Sequence, residues 1–102
     1  MDCVELLRQM IRIPSFPGEE REIASFLGEK LKDICDRSYV DELNNVVGII
    51  EGQDDGPLMM LNGHIDHAFI GDMHEPFSGN LMDGESWESE GPVIYGRGAC
   101  DN

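Results

Sequence analysis

Leu58-Met59-Met60-Leu61-Asn62-Gly63-His64-Ile65-Asp66-His67 is the stretch on which the reading of this chain turns. Its first four residues form an apolar run preceded by the turn signal Gln53-Asp54-Asp55-Gly56. They predict a third strand, apolar on both faces and therefore central in a covered sheet. The run passes directly into His64-x-Asp66. In an extended chain residues two apart point to the same side. An imidazole and a carboxylate then converge at the end of the strand, where open α/β sheets place their ligands. Imidazole is a good zinc ligand, and carboxylates commonly orient such imidazoles. A histidine simply paired with a nearby acid would look the same.

Upstream, the apolar period is helical. Asp2 is a good N-cap, with Glu5 three residues later in the manner of a capping box, and Leu6, Leu7, Met10 and Ile11 repeat at helical spacing. Pro14 excludes the helical region for Ile13 and ends this helix near there. Glu19, Glu20 and Glu22 suit the positive end of a second helix, whose stripe is Ile23, Phe26, Leu27, Leu31 and Ile34. After Asp36-Arg37 the period changes to two. Tyr39, Asp41 and Leu43 predict a short strand, Asn44-Asn45 a tight turn, and Val46 to Ile50 a second strand. Residues 68–91 show no period and predict a long loop, which at that length is either functional or a sign of a misassigned element. Val93-Ile94-Tyr95 predicts a last short strand before Gly96-Arg97-Gly98-Ala99-Cys100-Asp101-Asn102. The outcome is an α/β fold: two N-terminal helices, then about four strands of a larger mixed sheet.

The glycine turn Gly96-Arg97-Gly98-x-x-Asp101 looks like a dinucleotide fingerprint, but Asp101 stands at the third glycine and would set a carboxylate against a pyrophosphate. A carboxylate presented by a glycine turn suits a cation instead. Composition agrees. The 102 residues carry 21 acidic and 7 basic side chains, a net charge of −14, which excludes phosphate recognition by clustered Lys and Arg and disfavours anionic lipid. Residues 51–102 hold 11 acids, a single basic residue (Arg97) and all three histidines. The N-terminus lacks the basic start and apolar run of a secretory signal. Cys3, Cys35 and Cys100 form neither a disulfide framework nor a zinc knuckle, and are expected as small buried residues in a reducing cytoplasm. His67 and His74 are expected at a pocket rim or in solvent. Arg97 is expected to anchor a neighbouring or a substrate carboxylate.

Taken together, these stretches resemble the N-terminal part of the aminoacylase / carboxypeptidase G / acetylornithine deacetylase / succinyl-diaminopimelate desuccinylase family of two-zinc exopeptidases and amide hydrolases. Ile13-Pro14-Ser15 with Gly18-Glu19-Glu20 resembles its first loop, and Asn45-Val46-Val47 the segment after its first hairpin. Leu61-Asn62-Gly63-His64-Ile65-Asp66 resembles its "GH-x-D" motif. Tyr95-Gly96-Arg97-Gly98-Ala99-Cys100-Asp101 resembles "GRGA-x-D", with 37 residues from His64 to Asp101. Pro76-Phe77 and Asp83-Gly84 match the intervening loop.

The resemblance implies a zinc-exopeptidase-like α/β sandwich with 1–102 as the N-terminal part of its catalytic domain. It implies His64 as ligand of one metal ion, Asp101 as the bridge between two, and Asp66 as a catalytic residue orienting a metal-bound group. The cofactor implied is zinc, two ions per complete site, with cobalt or manganese as substitutes. The reaction implied is hydrolysis of an N-acyl amino acid or small peptide through a metal-bridged water, in a cytoplasmic protein that as a full-length chain allows a homodimer. The general-base glutamate and the remaining ligands lie beyond the position of Asp101, so the chain alone is expected to be inactive. His67 departs from the small or β-branched residue common at its position, and Asn102 from a common methionine. Phe69, Phe77, Trp87 and His74 are expected either to line the pocket or to pack the loop. The competing readings are a non-catalytic acidic interaction or cation-binding module, and a metallo-β-lactamase-like hydrolase. The latter lacks a histidine at Asn62.

Overall fold

A computed structural model describes residues 2–101; Asn102 lies outside them. Helix α1 runs Cys3–Ile11, and the Asp2 carboxylate accepts from the Val4 amide as its N-cap. Glu5 does not complete a capping box. Its carboxylate turns to Arg8 and Gln9, so the i+3 and i+4 partners on the helix surface win over the N-cap amide. Helix α2 runs Arg21–Lys32 and buries Ile23 and Ala24. Its expected stripe ends early, because the helix stops before Ile34, which is 59% exposed.

Strand β1 (Arg37–Val40) pairs antiparallel with β2 (Val46–Ile49), Tyr39 opposite Val47, and the hairpin packs on α2. The first strand ends at Val40 instead of Leu43 because Asp41 closes the turn. Its carboxylate accepts from the Leu43 and Asn45 amides and from the Asn45 side chain, while Asn44 takes the positive φ of 65°. Those bonds hold the Asp41 carboxyl below its ordinary value, chiefly through the Asn45 side chain.

Two expectations about the second half are corrected. The loop at 68–91 contains strand β3 (Asn80–Asp83), which pairs antiparallel with β4 (Pro92–Tyr95), and one turn of 3₁₀-helix at Gly84–Trp87. Asp83 caps that turn by accepting from the Glu85 amide. Conversely, Leu58–Leu61 pairs with no strand among the described residues. Leu58, Met59, Met60 and Leu61 are 93, 81, 77 and 90% exposed. A strand apolar on both faces needs neighbours at both edges and a layer on each side, and none of the elements here supplies them.

The fold is α/β, two helices with two small antiparallel sheets. The buried apolar core is Ile11, Ile23 and Ala24. The radius of gyration is 15.8 Å, against about 13 Å for a compact domain of this length. The cysteines are free and less buried than expected: Cys3 and Cys100 are exposed, and Cys35 packs against Gly48. No described helix is long and apolar enough to cross a membrane.

Candidate active site

The three residues singled out from sequence meet where three irregular segments converge beside α1: the turn after that helix, the extended stretch 62–70, and the turn after β4. The His67 amide donates to the Ser15 carbonyl (2.9 Å), and the Arg97 amide donates to Pro76 (2.7 Å). Glycines permit the last segment to approach. A Cβ at Gly96 would lie 2.1 Å from Ile11 Cγ2. Gly98 has φ 82°, and a Cβ there would meet His67 Cβ at 3.4 Å. The glycines of Gly96-Arg97-Gly98 thus serve backbone packing.

His64 stands between two carboxylates. Its Nδ1 lies 2.9 Å from Asp66 Oδ1 and 3.1 Å from the Asp66 carbonyl oxygen, as same-side alternation along an extended chain predicts. Its Nε2 lies 3.7 Å from Asp101 Oδ1. The Asp66 carbonyl and then its carboxylate raise His64 above the ordinary imidazole value, and the charge of Asp101 adds to this. Because Asp66 offers only acceptors, Nδ1 carries the hydrogen. In the neutral ring Nε2 is then a lone pair facing a carboxylate oxygen. Two acceptors placed so are reconciled by a proton or by a cation between them.

The donor chemistry fits zinc in part. Two atoms bonded to one zinc at roughly 2.0–2.1 Å can be at most about 4.2 Å apart, and 3.7 Å lies inside that limit. However, no group of three or more His, Cys, Asp or Glu among the described residues could hold a metal ion.

The site opens into a cavity of about 220 Å³ lined by His64, Asp66, His67, Arg97 and Asp101 over Ile11 and Ile23. A larger cleft of about 480 Å³ runs along β3 and β4 beside Trp87 and Tyr95 and contains none of the three. His67 lines the smaller cavity but does not stand in solvent. It is 5% exposed, edge-on to Phe16 at 4.6 Å and tilted on Phe77 at 5.3 Å, with Nδ1 2.8 Å from the Ala68 carbonyl oxygen. The signal was available: if His64 and Asp66 face one side of an extended chain, residue 67 faces the other. Arg97 Nη2 donates to the Phe69 carbonyl, a backbone anchor in place of the expected carboxylate. Phe77 packs the loop and Trp87 pairs with Tyr95, while Phe69 is 77% exposed and His74 lies close to Glu75 at the larger cleft.

Comparison with known proteins gives consistent matches. The chain is 33% identical over 98 residues to a Pyrococcus abyssi protein provisionally named [LysW]-lysine/[LysW]-ornithine hydrolase, taking in 96% of this chain and 25% of that protein. It is 36% identical over 98 residues to the [LysW]-lysine hydrolase of Deinococcus radiodurans, 95% of this chain and 23% of the relative. A Pyrobaculum aerophilum protein with the same provisional name as the first is 33% identical over 102 residues, 100% of this chain and 26% of its own length. The chain spans about a quarter of the length of these relatives. No family model and no solved structure matches it.

Proposed function

Because the chain belongs to the hydrolase family of aminoacylase, carboxypeptidase G, acetylornithine deacetylase and succinyl-diaminopimelate desuccinylase, we propose that it supplies the first metal ligands of a zinc-dependent amide hydrolase. The observation that carries this is the alignment of His64 Nε2 on Asp101 Oδ1, with Asp66 behind the ring. His64 and Asp101 hold zinc. Asp66 accepts the Nδ1–H, fixes the tautomer and keeps the Nε2 lone pair aimed at Asp101. The chemistry zinc supplies when bound is Lewis-acid activation of water and of an amide carbonyl.

The substrate class is an N-acyl amino acid or small peptide, and the relatives' names support lysine or ornithine as the amino acid released. The acidic chain, at −14, favours such a cationic product group over an anionic one. The general base and further ligands belong to the three quarters of the relatives that these residues do not span. A closed zinc site wants about four ligands, so the 102 residues alone bind zinc weakly and turn over no substrate.

The test is calorimetric titration of zinc into the purified chain. Binding is expected to disappear in both His64→Ala and Asp101→Ala, with folding monitored by circular dichroism. An affinity that neither replacement changes overturns the assignment.

A further inference from the structure

Two arginines one turn apart tie α1 to the second half of the chain. Arg8 Nε donates to the Gly79 carbonyl at 2.8 Å, and Arg12 Nε, at the C-cap, donates to the Ser78 carbonyl at 3.1 Å. The acceptors are consecutive and the donors are spaced i, i+4, so both guanidiniums leave one face of the helix. Glu5 stands on that face as well. Its carboxylate oxygens lie 3.2 Å from Arg8 Nη1 and 3.9 Å from Arg12 Nη1. One anion thus holds the ends of both guanidiniums and leaves each Nε–H for a carbonyl. The 78–79 strip can approach because residue 79 is glycine. Its φ is 59°, and a Cβ there would lie 2.6 Å from the Arg8 carbonyl oxygen.

That strip in turn holds the root of the turn that presents Asp101. The Arg97 amide donates to the Pro76 carbonyl at 2.7 Å, and Ser78 Oγ reaches the Tyr95 carbonyl at 3.5 Å. Ile11, between the two arginines, packs on Gly96. We infer that Arg8 and Arg12, oriented by Glu5, are positioning residues: they fix residues 76–79 on the end of α1, and through them the Asp101 carboxylate opposite His64. Neither arginine touches a reacting group. The other wall of the site is set from the same helix end, because the His67 amide donates to the carbonyl of Ser15, three residues past Arg12. The end of α1 is then the common reference for both walls. The consequence for metal, though not the tie of the strip to the helix, rests on the proposed site.

Amide hydrogen exchange on the purified, metal-free chain tests the tie. Arg8→Met and Arg12→Met keep an apolar stem and remove the donor. In each, the Arg97 and Ala99 amides, bonded to Pro76 and Gly96, are expected to exchange roughly tenfold faster, the scale of one hydrogen bond from a charged donor. The Asp41 amide, bonded to Asn45 in the β1–β2 turn, keeps its rate. Gly79→Ala, which pushes the strip off the helix, is expected to act in the same way. Arg37→Met removes the same charge from the β1–β2 hairpin and leaves Arg97 and Ala99 unchanged. Equal acceleration at Asp41 and Arg97, as from a general loss of stability, or none at Arg97, overturns the inference. Zinc titration reads the consequence: Arg8→Met and Arg12→Met each bind roughly tenfold more weakly, and Arg37→Met binds as the parent does. Unchanged zinc affinity in the first two overturns the positioning role where His64→Ala abolishes binding. If zinc binding ignores His64→Ala, the metal site falls and exchange alone decides the tie.

Discussion

Residues 58–61 and 64–67 are near neighbours in the chain, and neither belongs to a helix or strand. Their surroundings differ completely. The first is the longest uninterrupted apolar run in the sequence, yet each of its residues is at least 77% exposed. The second has three polar residues in four, yet it holds a histidine only 5% exposed, tied to Ser15 and wedged between two phenylalanines. Hydrophobicity states what a segment needs, and burial records what it finds. Residues 64–67 find partners within these 102 residues, from the turn after α1 and the turn after β4. A strand apolar on both faces needs two flanking strands and two covering layers, far more than the two small hairpins here provide.

The largest effect that would test this contrast is at Ile11, which is 5% exposed and packs against the Gly96 backbone. Ile11→Ala is expected to cost about 2–5 kcal/mol in urea denaturation, from lost transfer energy and the cavity left behind. Gly96→Ala attacks the same contact from the other side, since its Cβ would fall 2.1 Å from Ile11 Cγ2. Its expected cost is about 1–3 kcal/mol. If either proves as silent as a change at an exposed position, the corner beside α1 is not the ordered part of the molecule.

The helices were legible because their signals are local. Asp2 caps, Ile11 and Ile23 fall on the buried side, and Pro14 ends α1 where expected. The convergence of His64 with Asp66 was legible for the same reason, as alternation in an extended chain. Asp101 beside His64 is a contact across 37 residues that no period encodes; it became readable only through the resemblance of two motifs at a characteristic separation. Strand β3 was missed because Asn80-Leu81-Met82-Asp83 is short and all four residues are exposed, which leaves no alternation to detect. The burial of His67 was missed because an imidazole beside a candidate site suggests a pocket rim or solvent. Its burial depends on Phe16 and Phe77, both distant in sequence.

Two ionisable groups extend the comparison to pH, with opposite signs. The His64 ring in the metal-free chain is expected to titrate above its ordinary 6.5, mainly through the Asp66 carbonyl and carboxylate. A raised value means that the stability from this contact is fully present below about 6.5 and is lost as pH rises through the raised midpoint. Ring-proton NMR checks it: Asp66→Asn keeps the backbone carbonyl and removes the carboxylate, so it should move the midpoint part of the way back toward 6.5, and an unmoved midpoint would show that the Asp66 carboxylate does not hold the ring. In the β1–β2 turn the Asp41 carboxyl lies below its ordinary 3.8, chiefly through Asn45. The stability it contributes is present above about 3.8 and is lost as pH falls through the lowered value. Acid should therefore loosen the hairpin turn and mild alkali the histidine segment. Amide exchange resolved by residue distinguishes the two.

The smallest expected effect is the most discriminating. Leu58→Asn, at a side chain 93% exposed, should change the stability of this chain by no more than about 0.5 kcal/mol, because almost no apolar surface is removed from water there. In one of the longer relatives, the replacement at the equivalent position should cost about 2–5 kcal/mol if flanking strands and covering layers bury that side chain. The ratio of the two costs measures how much of the run's environment lies outside these residues. An equally small cost in both settings would mean that the run is not a sheet strand anywhere and that its apolar character serves something else. An equally large cost in both would mean that Leu58–Leu61 already packs in the isolated chain, and the contrast between 58–61 and 64–67 would collapse.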